Sequence, residues 1–179
     1  MKLYQYSEQE LKLIEESIVP IAVYQYVNKR VLTIAVSDGF REYLGLSSIE
    51  ETLELMNKDL FHFTHPDDVV EMTDAAVRFA VYDEPYDIVY RSKRGDGYVI
   101  AHAKGKHIWK ETGERLAVVA YTVEGVYNSD NSEIVMGFNL LKKKYFQNKK
   151  LAGRLNYDYL TGLPELNYFF ELAETYNKA

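Results

Sequence analysis

The spacing of apolar and polar residues first follows a helical period. Residues 7–20, "SEQELKLIEESIVP", open with a Ser and a Glu three positions apart, which is a capping-box pattern. Leu11, Ile14 and Ile18 then recur at helical spacing before Pro20. The pattern predicts a short amphipathic helix that covers one edge or face of the domain that follows.

The period then changes to that of β-strands. "IAVYQYV" and "VLTIAV", on either side of a short turn at residues 28–30, predict a hairpin. After Pro85 the segments "YDIVYRSK", "YVIAHAKGKHIWK" and "RLAVVAYTVEGVY" are separated by turns centred on Gly95-Asp96-Gly97 and on Gly113. They predict a three-stranded antiparallel meander.

Short helices separate the two groups of strands. "DGFREYLG" and "SSIEETLELMNKDL" begin with residues that cap helices, and a longer helix is expected from Pro66 through Val70, Val77 and Val81 toward Pro85. Two strands, several helices and three strands close most simply as an α+β fold. We expect a five-stranded antiparallel sheet with helices on one face.

A second helical pattern occupies the C-terminal part of the chain, after the polar residues 129–133. Apolar and small residues alternate there at spacings of four and three, which is typical of a coiled-coil seam. Lys142, Lys144 and Lys149 flank this seam without acidic partners, so any parallel helix pair must be held partly by the globular domain. The seam consists of Ile134, Phe138, Leu141, Tyr145, Asn148, Ala152 and Leu155.

Composition narrows the classes of function. The net charge of −6 argues against nucleic-acid binding, which requires cations to neutralise phosphates. The chain has no apolar run long enough for a membrane segment and no leader pattern, so we expect a cytoplasmic protein. It has no cysteine, which rules out a flavin–cysteinyl adduct and thiol catalysis.

Aromatic residues are the main candidates for a binding site, because 16 tyrosines need somewhere to pack. They predict either a small-molecule pocket between sheet and helices or a filled core with hydroxyls reaching the surface. His102 and His107 are five positions apart on one strand and therefore lie on opposite faces. The candidate pocket residues are Tyr24, Tyr26, Phe61, Phe63, Tyr90, His102 and Tyr121.

The remaining polar clusters do not indicate catalysis. His62 and His65 near Asp67 and Asp68 could hold a metal ion, but a helix start with an acidic first turn explains the same residues. The paired carboxylates fall in helix starts and loops, where nothing places them across a cleft. We therefore expect no catalytic residue and no metal site in this chain.

The element order, the "HPDD" of residues 65–68 and the "VSDGFREYLGLS" after the second strand resemble a PAS domain. The resemblance implies an N-terminal helix at 1–18, a sensory domain at 19–127 and a linker or signalling helix at 128–156. Haem-binding PAS domains carry their proximal His on the long central helix. Residues 67–82 contain none, so haem is not expected, and the cofactor stays unknown.

Residues 157–179 resemble the start of a GGDEF domain, the diguanylate cyclase family. "DYLTGLPELNYF" departs from the family pattern at Glu165 and Leu166. The resemblance implies that the chain is a fragment, with the catalytic loop beyond Ala179, and therefore not itself an enzyme. The matching positions are Asp158, Leu160, Thr161, Gly162, Leu163 and Phe169.

These resemblances imply a signal-input module that senses a small ligand or a packing change. It would act through the linker helix on a GGDEF output in cyclic di-GMP signalling, with a homodimer formed through the sensory domain and the linker. Two alternatives stay open. One is a ligand-free PAS module that dimerises and scaffolds, and the other is a regulator of a degenerate GGDEF nucleotide receptor.

Overall fold

The computed structural model describes the backbone of residues 2–153 and the side chains of residues 2–145. The chain divides into two compact units, Met1–Lys142 and Lys143–Ala179. Several predicted residues lie outside the part of the chain described here. These are the side chains of Asn148 and Ala152, the whole of Leu155, and the GGDEF opening motif of Asp158, Leu160, Thr161, Gly162, Leu163 and Phe169.

The predicted five-stranded antiparallel sheet is confirmed. The strands are β1 (Ile21–Val27), β2 (Arg30–Val36), β3 (Tyr86–Arg94), β4 (Gly97–Trp109) and β5 (Arg115–Tyr127), in the spatial order β2-β1-β5-β4-β3. The first and last strands in sequence therefore pair at the centre of the sheet.

The hairpin between β1 and β2 depends on a left-handed turn. Asn28 and Lys29 both have positive φ, at 51° and 62°. Two such residues give a turn whose twist matches that of the flanking strands, and Asn tolerates this conformation well.

One face of the sheet carries the helices α2 (Asp38–Leu44), α3 (Ile49–Lys58) and α4 (Val69–Tyr82), with a 3-10 turn at Pro66–Asp68 before α4. Ser48 caps α3, as the sequence predicts, but α2 is capped by Ser37 and not by the expected Asp38, which is the first residue of the helix. The helix expected from Pro66 is thus 3-10 in its first turn. The α4 side chains that face the sheet are Met72, Ala75, Phe79 and Ala80, whereas Val70, Val77 and Val81 are exposed.

The other face of the sheet is covered by the N-terminal segment. The predicted capping box of Ser7 and Glu10 is present at the start of α1 (Glu8–Glu15). Leu11 and Ile14 pack with Tyr4 and Tyr6 against a second core cluster of Val23, Ala35 and Leu116.

Ile18 is not part of this apolar face. The helix ends at Glu15, and Ile18 is 89% exposed. The chain turns between α1 and β1. At this turn the Gly39 N–H donates to the Ser17 carbonyl at 3.0 Å. A Cβ at Gly39 would lie 2.2 Å from the Ile18 carbonyl oxygen, so this close approach requires glycine.

The last described helix is α5 (Ser132–Gly153), which follows β5 after a short turn. Asn131 accepts hydrogen bonds from the backbone N–H groups of Glu133 and Ile134 and so satisfies two free donors at its start. Phe138 of this helix is 4% exposed and belongs to the buried residues of the first compact unit.

Candidate functional site

A cavity of about 80 Å³ lies between the sheet and the helices α2 to α4. A single ordered water needs roughly 10–15 Å³ measured in this way, so the cavity has room for several waters or a small organic molecule. Six of the seven predicted pocket residues line it, namely Tyr24, Tyr26, Phe61, Phe63, Tyr90 and Tyr121.

The strand register explains why space remains here. Each of the four buried inner-face tyrosines stands opposite a small residue on a neighbouring strand. Tyr24 pairs with Ala117, Tyr90 with Ala101, Tyr121 with Ala103 and Tyr86 with Gly105. Small residues opposite large rings leave volume that the rings do not fill, and Ala117 itself lines the cavity.

Phenol hydroxyls are among the polar groups that line the cavity. The Tyr24 and Tyr121 hydroxyl oxygens are 2.6 Å apart and share a hydrogen bond in which either can donate. Tyr86 and Tyr90 also line the cavity, and each of these four tyrosines is 6–7% exposed. Because one hydroxyl of a hydrogen-bonded pair keeps its own proton free, the cavity offers donors to an acceptor atom of a guest molecule.

Burial keeps these phenols neutral. Removal from water raises the pKa of Tyr24, Tyr86, Tyr90 and Tyr121 above the ordinary value, since a phenolate loses its hydration there. The four hydroxyls therefore act as neutral donors and acceptors at physiological pH and do not compensate a charged guest.

One side of the cavity carries cationic and titratable groups that the sequence did not single out. The His107 ring stacks on Phe79 with centroids 4.0 Å apart, and its Nδ1 contacts the Asp83 carboxylate. Arg115 donates to the Ala80 carbonyl and lies 3.9 Å from Asp83. His107 and Arg115 both line the cavity, and both are already engaged by Asp83.

His102 does not line the cavity, contrary to its predicted place in the pocket. It lies on the other face of the sheet, where Nε2 is 2.5 Å from Asp87 and Nδ1 is 3.4 Å from Glu124. The two histidines thus face opposite ways, as their spacing requires, but the inward one is His107.

The "HPDD" turn contains a functional candidate that sequence reasoning missed. The Asp68 carboxylate, 3% exposed, accepts from the Arg91 backbone N–H at 2.9 Å and from the Arg91 Nε at 2.8 Å. Lys142 of α5 adds a further contact, with Nζ 3.1 Å from Asp68 and 2.6 Å from Glu71. Asp68 therefore joins the turn, strand β3 and helix α5.

The histidines of this turn have local structural roles. His65 Nδ1 accepts from the Asp67 N–H at 3.2 Å, and His62 lies 3.7 Å from the Asp59 carboxylate. Among the residues whose positions are described, no three His, Asp or Glu side chains are placed to hold a metal ion. In that same part of the chain, no helix combines the length and apolarity needed to cross a bilayer.

The seam residues of α5 do not share one environment. Phe138 is buried against its own domain, where its ring meets Tyr127 edge-on at 5.4 Å. Ile134, Leu141 and Tyr145 are half-buried. Met136 and Leu140, outside the predicted seam, are 61% and 60% exposed. On α5, the most exposed apolar side chains therefore lie outside the predicted seam.

The described residues thus form an α+β domain with a central antiparallel sheet in the order 2-1-5-4-3 and short helices around a small aromatic cavity. The family model described as the PAS fold matches residues 33–122, which is half of the chain. The chain belongs to the PAS-fold family.

Several solved structures are similar to the chain at low sequence identity. The Rhodobacter sphaeroides LOV protein is 12% identical, with a TM-score of 0.50 over 81% of this chain and 90% of its own. A PAS domain from Colwellia psychrerythraea is 15% identical, with a TM-score of 0.47 over 66% and 96%. A sensory box histidine kinase/response regulator from Burkholderia thailandensis E264 is 16% identical, with a TM-score of 0.41 over 71% and 91%. No curated protein is significantly similar to the chain.

Proposed function

We propose that this chain is a signal-input module whose PAS domain binds a small neutral molecule in the tyrosine-lined cavity. The observation that carries the proposal is the cavity itself, which is lined by Tyr24, Tyr86, Tyr90 and Tyr121 and contains a hydrogen bond between the hydroxyls of Tyr24 and Tyr121. Apolar walls with a few convergent polar groups are typical of small-molecule sites.

The chemistry of the cavity favours a guest with an acceptor atom and no net charge. The tyrosines supply hydroxyl donors, and His107 and Arg115 at the edge are already paired with Asp83. A volume of about 80 Å³ suits a compact molecule of a few non-hydrogen atoms. A flavin–cysteinyl adduct cannot form in a chain without cysteine, and α4 carries no histidine for haem.

The output side of the proposal rests on the resemblance of residues 157–179 to the opening of a GGDEF domain. Under this proposal α5 passes the state of the cavity to a diguanylate cyclase or a cyclase-like domain. Such a domain acts on GTP, which is a cytoplasmic nucleotide, so the module works in the cytoplasm. The chain itself then senses and does not catalyse.

The first test compares the native and denatured masses of the purified chain. Additional mass that is lost on denaturation, and that is absent from a Tyr24→Phe/Tyr121→Phe variant, supports a ligand in the cavity. A native mass equal to the denatured mass, for the wild type as well as for the variant, contradicts it. When the chain is joined to a complete GGDEF domain, the rate of cyclic di-GMP formation from GTP with and without the released molecule tests the output.

A second candidate function is a ligand-free dimerisation module. It is favoured by the exposed apolar residues on α5 and at the end of β5, where Met136, Leu140 and Val126 are each at least 60% exposed. A bare dimer in the native mass spectrum, with no bound small molecule, favours this function over sensing.

A further inference from the structure

The first half of α5 is docked on the PAS domain by one aromatic residue and one network of charges. The Phe138 ring lies 5.5 Å from the Arg91 guanidinium carbon and packs edge-on against Tyr127. One turn further along the helix, Lys142 reaches Asp68 and Glu71. Both contacts are made within the first compact unit.

The ion pair is well placed to hold the helix. The Lys142 side chain is only 23% exposed, and the Asp68 side chain is 3% exposed. A carboxylate so deeply buried depends on its cationic partners, because a lone charge there has lost its hydration. Arg91 supplies one cation from within the domain, and Lys142 supplies the other from α5.

The docked position conflicts with the predicted helix seam. Phe138 is a seam position and Lys142 directly flanks the seam, yet both are occupied within their own chain. A side chain cannot be buried in its own domain and between two helices at once. Docking in cis and pairing through the full seam are therefore alternative arrangements of α5.

We propose that the Lys142–Asp68 ion pair is an anchor that keeps α5 docked, and that its release frees Phe138 to pair with α5 of a second copy of this chain. The docked state limits the helix pair, and the released state permits it. The anchor thus sets the balance between two arrangements of the same helix.

The anchor is also adjacent to the cavity. Phe63 and Thr64 line the cavity, and the Phe63 carbonyl accepts from the Lys93 N–H at 2.7 Å while Thr64 bridges to Ser92. The His65 backbone N–H donates to the Arg91 carbonyl at 2.9 Å. A guest that displaces this segment also displaces Asp68 and Arg91, and this coupling alone rests on the proposed function.

A single engineered cysteine tests the anchor in the chain of 179 residues, which has no cysteine of its own. The substitution Leu141→Cys places a thiol at a seam position, and oxidation at fixed protein concentration measures how often two seams meet. We expect Lys142→Met to raise the yield of disulfide-linked dimer at least threefold. Lys144→Met is the matched control, because it removes the same charge from an exposed position that also flanks the seam, so any rise in its yield measures the relief of repulsion between lysines alone.

Charge reversal adds a test that does not depend on one variant. Lys142→Glu places a third carboxylate beside Asp68 and Glu71 and should raise the dimer yield, and adding Glu71→Lys should lower it again. Equal yields for Lys142→Met and Lys144→Met, or no response to charge reversal, overturn the proposal. A raised yield of disulfide-linked dimer in a chain that binds no small molecule supports the anchor and contradicts only the proposed function.

Discussion

The hydroxyl oxygens of Tyr24 and Tyr121 lie 2.6 Å apart, although 97 positions separate the two residues in the sequence. Strands β1 and β5 pair at the centre of the sheet, so this hydrogen bond joins the beginning and the end of the PAS domain. It also stands at the wall of the cavity, where it contributes both to stability and to the chemistry offered to a guest.

The hydroxyl pair predicts a non-additive response to mutation. Tyr121→Phe leaves the Tyr24 hydroxyl buried without its partner, and we expect a loss of about 1–3 kcal/mol in the free energy of unfolding. The double variant Tyr24→Phe/Tyr121→Phe removes both hydroxyls and should recover most of that loss. Urea unfolding of the single and double variants measures the coupling, and purely additive losses would contradict the buried pair.

Filling the cavity should separate binding from folding. Ala117 lines the cavity, so Ala117→Leu places a larger side chain in space that a guest would occupy. Xenon binding, followed by changes in amide resonances under gas pressure, should fall at least tenfold. We expect the free energy of unfolding to change by no more than about 1–3 kcal/mol, the usual range for an enlarged core residue.

The control for this variant lies on the same strand. Ala120 is three positions further along β5 and faces away from the cavity, since the inward positions are Ala117, Val119 and Tyr121. Ala120→Leu should leave xenon binding intact. Equal loss of binding in both variants would mean that the xenon site is not this cavity.

Asp68 predicts a specific dependence of stability on pH. Burial alone raises the pKa of Asp68, but hydrogen bonds from Arg91 and the charge of Lys142 outweigh it, so the pKa lies below the ordinary value. A carboxyl with a lowered pKa in the folded state stabilises the protein above its ordinary pKa of about 3.9. That stability is lost as the pH falls through the lower folded-state pKa.

Asp68→Asn should therefore lower stability at pH 7 and flatten the acid limb of the stability curve. Removing one partner of a buried ion pair typically costs about 3–5 kcal/mol. Asp67→Asn is the control, because the Asp67 side chain is 74% exposed and its pair with Arg91 should contribute less than about 1 kcal/mol. Urea unfolding at pH 7 and near pH 3 compares the two, and parallel acid limbs for wild type and Asp68→Asn would refute the assignment.

The sequence was sufficient for features that depend on local periodicity. Alternation of apolar and polar residues predicts all five strands, and a Ser with Glu three positions later predicts the start of α1. The inward tyrosines follow from the same alternation. His107 could have been recognised as well, because Ala101, Ala103 and Gly105 share its parity, whereas His102 shares the parity of the polar Lys104 and Lys106.

Features that depend on docking could not be predicted in this way. Lys142 and Asp68 are 74 positions apart, and both residues suit an exposed helix start or an exposed helix face equally well. Heptad spacing assigns Phe138 to a seam but does not tell whether the seam meets another chain or its own domain. That choice depends on the position of Tyr127 and Arg91, which only the folded sheet determines.

The N-terminal segment offers a test of how the second face of the sheet is covered. The Lys110 Nζ lies 2.8 Å from a Glu10 carboxylate oxygen and above the rings of Tyr4 and Tyr6. One lysine therefore contacts both α1 and the residues that precede it. The hydrogen bond from Lys110, together with those from Ser7, lowers the pKa of Glu10 to about 2.

Lys110→Met should therefore raise amide hydrogen exchange across residues 2–15 while exchange in β4 and β5 stays unchanged. Lys12→Met, which removes only the exposed pair with Glu16, should leave exchange in Tyr4 and Tyr6 at the wild-type rate. Because Glu10 keeps its charge down to about pH 2, the protection of residues 2–15 from hydrogen exchange should persist in the wild type at pH 4. Loss of this protection by pH 4 would show that the Lys110–Glu10 ion pair does not hold the segment.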